Sequence, residues 1–173
     1  MALLPIIVAP DSRLKVRCEP VSEVTAELRK LMEDMLETMY DAPGIGLAAP
    51  QVGVCKRIMV VDVSKGEDEY QPYQMVNPEI TWHSEQLIDY EEGCLSLPEQ
   101  YANVKRPDQI HLTYIDPNGQ MQNLEASGIL ATCIQHEMDH LDGLLFVDHI
   151  SKLRRDLIIR KLKKYKAAQL VDA

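Results

Sequence analysis

The sequence predicts an α+β fold, because helical patterns lie near both ends of the chain and a run of strand-like patterns lies between them. Residues 25–41, 127–141 and 151–167 have the helical period, whereas the stretch 57–125 reads mainly as strands. With 173 residues, of which 46% are hydrophobic, the chain can bury a core. We therefore expect one domain that spans residues 1–173.

The first helix is predicted between Thr25 and Asp41. Ser22 or Thr25 can cap its first turn, and Pro43-Gly44 ends it. Its apolar residues recur at the spacing of one helix face, which predicts a stripe that faces the core. The stripe consists of Leu28, Leu31, Met32, Met35, Leu36 and Met39.

Strand patterns follow between the first and second helices. Apolar and β-branched residues alternate with polar ones in several short runs, and Pro117-Asn118-Gly119 between two of them predicts a hairpin turn. A polar, glycine-containing loop at 64–70 joins the first two runs. The predicted strands are, in order, 57–63, 74–80, a short one at 86–90, and the hairpin strands 110–116 and 121–125.

The second helix, at 127–141, carries the most informative motif of the chain. His136 and His140 lie one turn apart on one face, with Cβ atoms about 5–6 Å apart, so both imidazoles can reach one metal ion. In the His-Glu-x-x-His pattern, two histidines bind a cation and a non-ligating glutamate, here Glu137, transfers protons. A chance match on a surface helix is the competing interpretation, and composition alone rarely produces it.

The same helix is expected to bury one face and to stop at Gly143. The residues predicted to face the core are Ile129, Leu130, Ile134, Met138 and Leu141.

Two histidines do not complete a catalytic metal site, which usually has three protein ligands. A metzincin would place a third histidine six residues after His140, but Phe146 stands there. No glutamate follows Glu137, so the third ligand is upstream or is an aspartate. Two thiolates are candidates: Cys94, in a loop between a glycine and a proline, and Cys133, on the helix itself.

The stretch 44–53, GIGLAAPQVG, is rich in small residues. It superficially matches a dinucleotide fingerprint, but that motif needs a strand before it and a helix after it. Here a helix precedes it and Pro50 follows, which argues against a nucleotide site. Glycines and alanines instead permit close approach of the backbone to a ligand or loop. Gln51 adds an amide donor and acceptor, although a plain surface residue is the simpler interpretation of Gln51 alone.

Charge and cysteine usage restrict the class of protein. The net charge of −9 argues against a protein that grips nucleic acid over its whole surface. Four cysteines without CxxC pairing favour a reducing compartment over a disulfide scaffold. The apolar opening MALLPIIVAP is short, lacks a basic region and contains two prolines, which argues against a signal peptide or membrane span. We expect a cytoplasmic monomer with no membrane partner.

Three stretches together resemble a known family. GIGLAAPQ at 44–51, EGCLS at 92–96 and QHEMDH at 135–140 are similar, in order and separation, to the signature motifs of the peptide deformylases. Pro10-Asp11-x-Arg13-Leu14 near the start also follows the family pattern. The resemblance implies antiparallel or mixed β-sheets packed around a central metal-binding helix. It also implies a hydrolase that removes the formyl group from the formyl-methionine of nascent polypeptides.

The resemblance assigns roles to particular residues. It implies one metal ion per chain, with Fe(II) as the native metal and Zn(II) or Ni(II) in purified protein. The implied ligands are Cys94, His136 and His140. A metal-bound water would be the nucleophile, Glu137 the general base and acid, and Gln51 with the Leu95 backbone N–H the groups that stabilise the oxyanion.

The resemblance also implies a substrate pocket for N-formylmethionyl peptides. The methionine side chain would contact Ile45, Ile129, Leu130 and Cys133, and the peptide backbone would contact Ile45, Gly46 and Gly93 as an added strand. Tyr101 stands where some relatives carry arginine, which leaves a charged substrate contact there in doubt.

The last helix, at 151–167, is strongly basic. Eight basic residues and one acidic residue lie between 152 and 166, whereas the rest of the chain has 10 basic and 26 acidic residues. Two interpretations stay open: a solvated amphipathic helix over the core, or a ribosome-docking helix like that of some deformylases. Its apolar stripe is predicted at Leu153, Leu157, Ile158, Leu162 and Tyr165.

Two other functions are compatible with the metal motif. A zinc endopeptidase would cleave internal peptide bonds, but the absent downstream histidine or glutamate argues against it. A noncatalytic protein of the same fold would bind nascent N-termini without hydrolysis, and the intact Gln51, Cys94 and Glu137 argue against that.

Overall fold

A five-stranded antiparallel sheet and a two-stranded hairpin surround the motif-bearing helix in the computed structural model. The structure describes residues 2–64 and 70–172, so most of the predicted 64–70 loop lies outside the described residues. The α+β class predicted from the sequence is confirmed, with the named strands pairing antiparallel throughout.

The strands of the five-stranded sheet are β1 Gly46–Ala48, β2 Ile58–Val61, β3 Tyr73–His83, β6 Gln109–Ile115 and β7 Met121–Ser127. The predicted strands at 57–63 and 74–80 are present, but the first is shorter and the second runs further, to His83. The predicted hairpin around Asn118-Gly119 forms the β6–β7 edge. Within the sheet, neighbouring strands follow the order β1-β2-β3-β6-β7.

The separate hairpin pairs β4 Leu87–Cys94 with β5 Leu97–Pro107. In this region the sequence predicts only a short strand at 86–90, and β5 has no predicted counterpart. The buried face of β5 carries Ala102, Val104 and Arg106, of which one is small and one is charged. Apolar and polar residues therefore alternate only weakly in this part of the sequence. The strand conformation of β5 depends on its pairing with β4.

Helix α1, Ala26–Asp41, covers one face of the sheet as predicted. The Thr25 side chain caps it by accepting a hydrogen bond from the Leu28 N–H at 3.2 Å. Its buried Met32, Met35 and Met39 pack with Leu47, Ile58 and Val60 of the sheet.

Helix α2, Gly128–Leu141, lies against the other face of the sheet. Ala131, Ile134 and Leu141 are fully buried there. The prediction that Ile129 faces the core is wrong, because 48% of its surface is exposed. Ile129 lies in the first turn of the helix, where the core-facing stripe begins only with Leu130.

Helix α3, Lys152–Asp172, closes the molecule over the hairpin and continues past the predicted end at Ala167. Ile158 and Leu162 are buried against Leu97 and Val104. Leu153, 72% exposed, and Leu157, 45% exposed, do not pack inward, so the predicted apolar stripe is too wide.

The helices within the described residues include none that is both long and apolar enough to cross a membrane.

The end of α2 depends on Gly143. Its φ of +78° is unfavourable for a side chain, and an added Cβ would lie 2.7 Å from the carbonyl carbon and oxygen of Lys15. The N-terminal segment also holds this end directly, because the Cys18 N–H donates to the Leu141 carbonyl at 2.8 Å. Gly143 therefore ends the helix, as predicted, and also permits this close backbone approach.

We expect Gly143→Ala to lower the free energy of unfolding by at least about 3 kcal/mol, since it combines left-handed backbone strain with a clash. Gly119→Ala is the matched control: its φ is +80°, yet nothing lies within 4 Å of an added Cβ. That control should cost about 1 kcal/mol. Urea unfolding of both variants measures the difference, and equal losses would refute the role of the close approach.

Candidate metal centre and active site

Three donor atoms converge at the junction of the hairpin and α2. The Cys94 Sγ and one ring nitrogen each of His136 and His140 all lie within 4.8 Å of one another. The Cys94 Sγ is 3.3 Å from the His140 Nε2. Cys94 ends β4, and the two histidines lie one turn apart on α2, so tertiary packing brings the thiol to the helix.

The donor set fits a divalent transition metal. Metal–sulfur and metal–nitrogen bonds of about 2.0–2.3 Å in a tetrahedral site leave neighbouring donors about 3.5 Å apart. The 3.3 Å between Cys94 and His140 agrees with that spacing. One thiol and two imidazoles leave a fourth position for water or substrate, which is the ligand count of a catalytic site.

The two histidines are kept in different hydrogen-bonding environments. Burial lowers the pKa of His140 well below its usual value, which favours the neutral ring that a metal requires. Burial also acts to lower the pKa of His136, but its hydrogen bonds to Cys94 and Glu92 outweigh that effect and raise the pKa. The Glu92 carboxylate contacts the His136 Nδ1 at 2.9 Å, which leaves Nε2 directed at the donor group.

Glu92 is itself held by a buried ionic network. Arg106 donates two hydrogen bonds to its carboxylate, at 2.7 and 3.0 Å, and a third to Asp139 at 2.8 Å. His149 contacts the same Asp139 oxygen at 2.7 Å. Burial acts to raise the pKa of Glu92, but its bonds to His136 and Arg106 lower it, so the carboxylate stays ionised.

Glu137 lies beside the donor group and is 2% exposed. Its Oε1 is 3.7 Å from the His136 Nε2 and 3.9 Å from the His140 Nε2, and its Oε2 has no hydrogen-bond partner among the described residues. Burial raises the pKa of this carboxyl to about 7. A buried carboxyl with this pKa near two imidazoles is suited to accept and release a proton.

Gln51 reaches the donor group from the small-residue stretch. Its Oε1 accepts from the Ala48 N–H at 2.9 Å, which fixes the orientation of the amide. Its Nε2 then donates to the Ser96 hydroxyl at 3.0 Å and contacts the Cys94 sulfur at 3.5 Å. Gln51 is 1% exposed, so its interpretation as a surface residue is wrong.

A cavity of about 750 Å³ opens above these groups. Of the residues predicted for the substrate pocket, five line it, namely Ile45, Gly46, Gly93, Ile129 and Cys133, and Leu95 lines it as well. Leu130 requires a correction: it packs against the core cluster instead. Leu130 lies about 100° around the helix from Ile129, which turns it away from the cavity and toward the sheet.

Two glycines let the chain approach closely around the cavity. An added Cβ at Gly46 would lie 2.9 Å from the Cys133 sulfur and from the Glu137 side chain. One at Gly93 would lie 2.6 Å from the ring of Tyr101, which packs across that glycine. The small residues at these positions are therefore required by the packing around the site.

The comparisons with known proteins agree with this geometry. A family model described as "Polypeptide deformylase" matches residues 3–156. A curated peptide deformylase from Methylocella silvestris is 54% identical, over 95% of this chain and 85% of the relative. The chain belongs to the peptide deformylase family. It is therefore a hydrolase of the metal-dependent class that removes formyl groups from nascent peptides, and not a zinc endopeptidase.

Further relatives support the assignment over the whole chain. The deformylase of Rhizobium meliloti is 53% identical, over 95% of this chain and 94% of the relative. The crystal structure of the Ehrlichia chaffeensis deformylase has a TM-score of 0.93 at 42% identity and covers 98% of this chain and 99% of that one. A complex of the same protein with actinonin has a TM-score of 0.90 at 43% identity, over 95% and 98% of the two chains.

Sequence reasoning missed the network that supports His136. Glu92 lies within the EGCLS stretch, and its adjacency to Cys94 was the available signal. Arg106 and His149 have no signal, because they reach the network only through the β4–β5 pairing and the turn Phe146–His149. Ser96, which holds the Gln51 amide, also received no role.

We expect Arg106→Met to lower the free energy of unfolding by about 3–5 kcal/mol, because it leaves the buried Glu92 carboxylate without its arginine partner and removes one partner of the half-buried Asp139. Arg155→Met is the matched control: its pair with Asp148 is partly exposed and should contribute less than about 1 kcal/mol. Denaturant unfolding at neutral pH measures both losses. Similar losses for the two variants would contradict the importance of the buried network.

Proposed function

We propose that this chain hydrolyses the formyl group from formyl-methionine with Cys94, His136 and His140 as metal ligands. The observation that carries the proposal is the convergence of these three donors, within 4.8 Å of one another, beside a buried glutamate at a cavity. A cation held there supplies a Lewis acid that polarises the formyl carbonyl and makes water more acidic. Residues 1–173 then act as one catalytic domain.

Glu137 is proposed as the group that moves the proton. Its Oε1 lies within 4 Å of both imidazoles, so it can take a proton from a water that attacks at the donor group. The same carboxyl can then deliver that proton to the departing amine. Burial supports this role, because it raises the pKa of the carboxyl to about 7, where the group can both accept and release a proton.

Gln51 and the Leu95 backbone N–H are proposed to stabilise the oxyanion that forms at the formyl carbon. The Gln51 amide is pre-oriented by Ala48 and presents its Nε2 beside Cys94. A donor that is already oriented before the reaction does not have to reorganise when charge develops on the oxygen. Removing one such donor typically lowers the rate by about 10²- to 10³-fold.

The methionine side chain is proposed to lie between Ile45, Ile129 and Cys133, with the peptide backbone along Gly46 and Gly93. These positions combine apolar side chains with exposed backbone, as a sequence-tolerant peptide site needs. The related Ehrlichia chaffeensis protein crystallised with actinonin supports a ligand site in this family. Leu130 is omitted, since it belongs to the core.

Fe(II) is proposed as the native metal, with Zn(II) or Ni(II) able to replace it. A thiolate with two imidazoles suits all three ions, so supply in the cell decides among them. We expect anaerobically purified protein to contain one iron per chain.

We expect Glu137→Gln to lower kcat for formyl-Met-Ala by about 10²- to 10⁴-fold while the metal content stays at one ion per chain. The substitution keeps the shape of the side chain and removes its basicity. Cys94→Ser should instead lose the metal, because it removes a ligand. Metal analysis beside steady-state kinetics separates the two effects. A Glu137→Gln enzyme with wild-type kcat would exclude the proton-transfer role.

The basic face of α3 is proposed as a ribosome-docking surface for a cytoplasmic monomer. Lys161, Lys163 and Lys164 are exposed, whereas Ile158 and Leu162 of the same helix are buried. The helix can therefore cover the core and present cations to phosphates at the same time. Lys166 is already engaged, because its Nζ donates to the carbonyls of Val8 and Pro10.

We expect simultaneous Lys161→Glu, Lys163→Glu and Lys164→Glu substitutions to weaken sedimentation with ribosomes at low salt by at least about tenfold. Removing the whole helix is a poorer test, because it would expose the core that Ile158 and Leu162 cover.

The matched control for this test reverses three exposed lysines outside α3, at positions 15, 56 and 105. It changes the net charge equally and should leave sedimentation nearly unchanged. Equal weakening by both variants, or binding that does not respond to salt, would count against docking through α3.

A further inference from the structure

Two cysteines outside the metal group lie in contact with each other. The Sγ atoms of Cys18 and Cys55 are 3.6 Å apart. Cys18 is 3% exposed, whereas Cys55 is exposed to solvent. Neither residue belongs to the Cys94, His136 and His140 group, and the proposed hydrolysis does not use them.

The backbone holds this thiol pair in a suitable geometry. Glu19 and Lys56, which follow the two cysteines, form a parallel β-bridge, and the Arg57 N–H donates to the Glu19 carbonyl at 3.1 Å. Cys18 and Cys55 therefore stand opposite each other on two chain segments that pair at this single bridge as parallel strands do. Such strands are about 4.8 Å apart, within the 4.4–6.8 Å range of Cα separations that disulfides span.

We infer that Cys18 and Cys55 form a second reactive site, a dithiol that hydroperoxides convert reversibly into a disulfide. The sulfur atoms need to approach by only about 1.5 Å to reach bonding distance. Side-chain rotation at the surface-exposed Cys55 can supply most of that movement.

The exposed thiol reacts first. The Cys55 sulfur attacks the hydroperoxide, the O–O bond breaks, and the alcohol or water leaves, so that sulfur is oxidised to a sulfenic acid as the peroxide is reduced. The Cys18 sulfur then attacks the Cys55 sulfur, the S–O bond breaks, and water leaves with the thiol proton. Burial raises the pKa of the Cys18 thiol to about 12, so Cys18 is the resolving partner and not the initial nucleophile.

The disulfide would stabilise the fold around the active site. It would close a covalent loop that contains α1, β1 and the turn that carries Gln51. It would also anchor Cys18, whose N–H already bonds to the Leu141 carbonyl at the end of α2. Closing a loop of this length restricts the unfolded chain and so favours the folded state.

The test uses nickel-loaded enzyme treated with hydrogen peroxide, which avoids oxidation of bound iron. We expect loss of two alkylatable thiols, a mass decrease of about 2 Da, and a peptide that links Cys18 to Cys55. The unfolding temperature should rise by about 5 °C or more and fall back when dithiothreitol is added.

Cys55→Ser is the matched control, since it changes one exposed atom and should abolish both the link and the thermal shift. Three results would overturn the inference: Cys55 oxidised to sulfinic acid while Cys18 still alkylates, a link between Cys55 residues of two chains, or a Cys18–Cys55 link without any rise in unfolding temperature.

Discussion

The contact between Glu92 and His136 is the interaction on which the site depends. It joins the β4–β5 hairpin, which carries Cys94, to α2, which carries both histidines. A carboxylate placed at Nδ1 settles which nitrogen of His136 faces the donor group. Arg106 stabilises that carboxylate in the interior, because its charge and two hydrogen bonds offset the desolvation of Glu92.

The chemistry also needs a close approach between elements that are far apart in sequence. Gly46 allows β1 to lie against Cys133 and Glu137, and Gly143 allows the N-terminal segment to pack on the end of α2. Larger side chains at either place would separate the elements that form the site. The glycines therefore contribute to function through packing, without touching the reacting atoms.

The molecule combines a rigid, apolar interior with a polar site at its boundary. One cluster of buried side chains packs α2 against the sheet, and the open cavity lies along another side of the helix. The motif helix is thus held against the sheet, which keeps the two imidazoles and the thiol in register. The exposed lysines of α3 and the thiol pair lie outside this site.

The sequence by itself determined the class of fold, the first helix and the His-Glu-x-x-His helix, because periodicity and motif spacing are local properties. On residue chemistry alone Cys94 and Cys133 stayed open as the third ligand, and the family resemblance pointed to Cys94. Only the tertiary structure placed the Cys94 sulfur at the histidines and Cys133 against the Ile45 carbonyl. It alone decided the strand β5, the burial of Gln51 and the chain from His136 through Glu92 to Arg106. These features depend on partners distant in sequence, and no local pattern encodes a contact that exists only after the sheet and hairpin have packed.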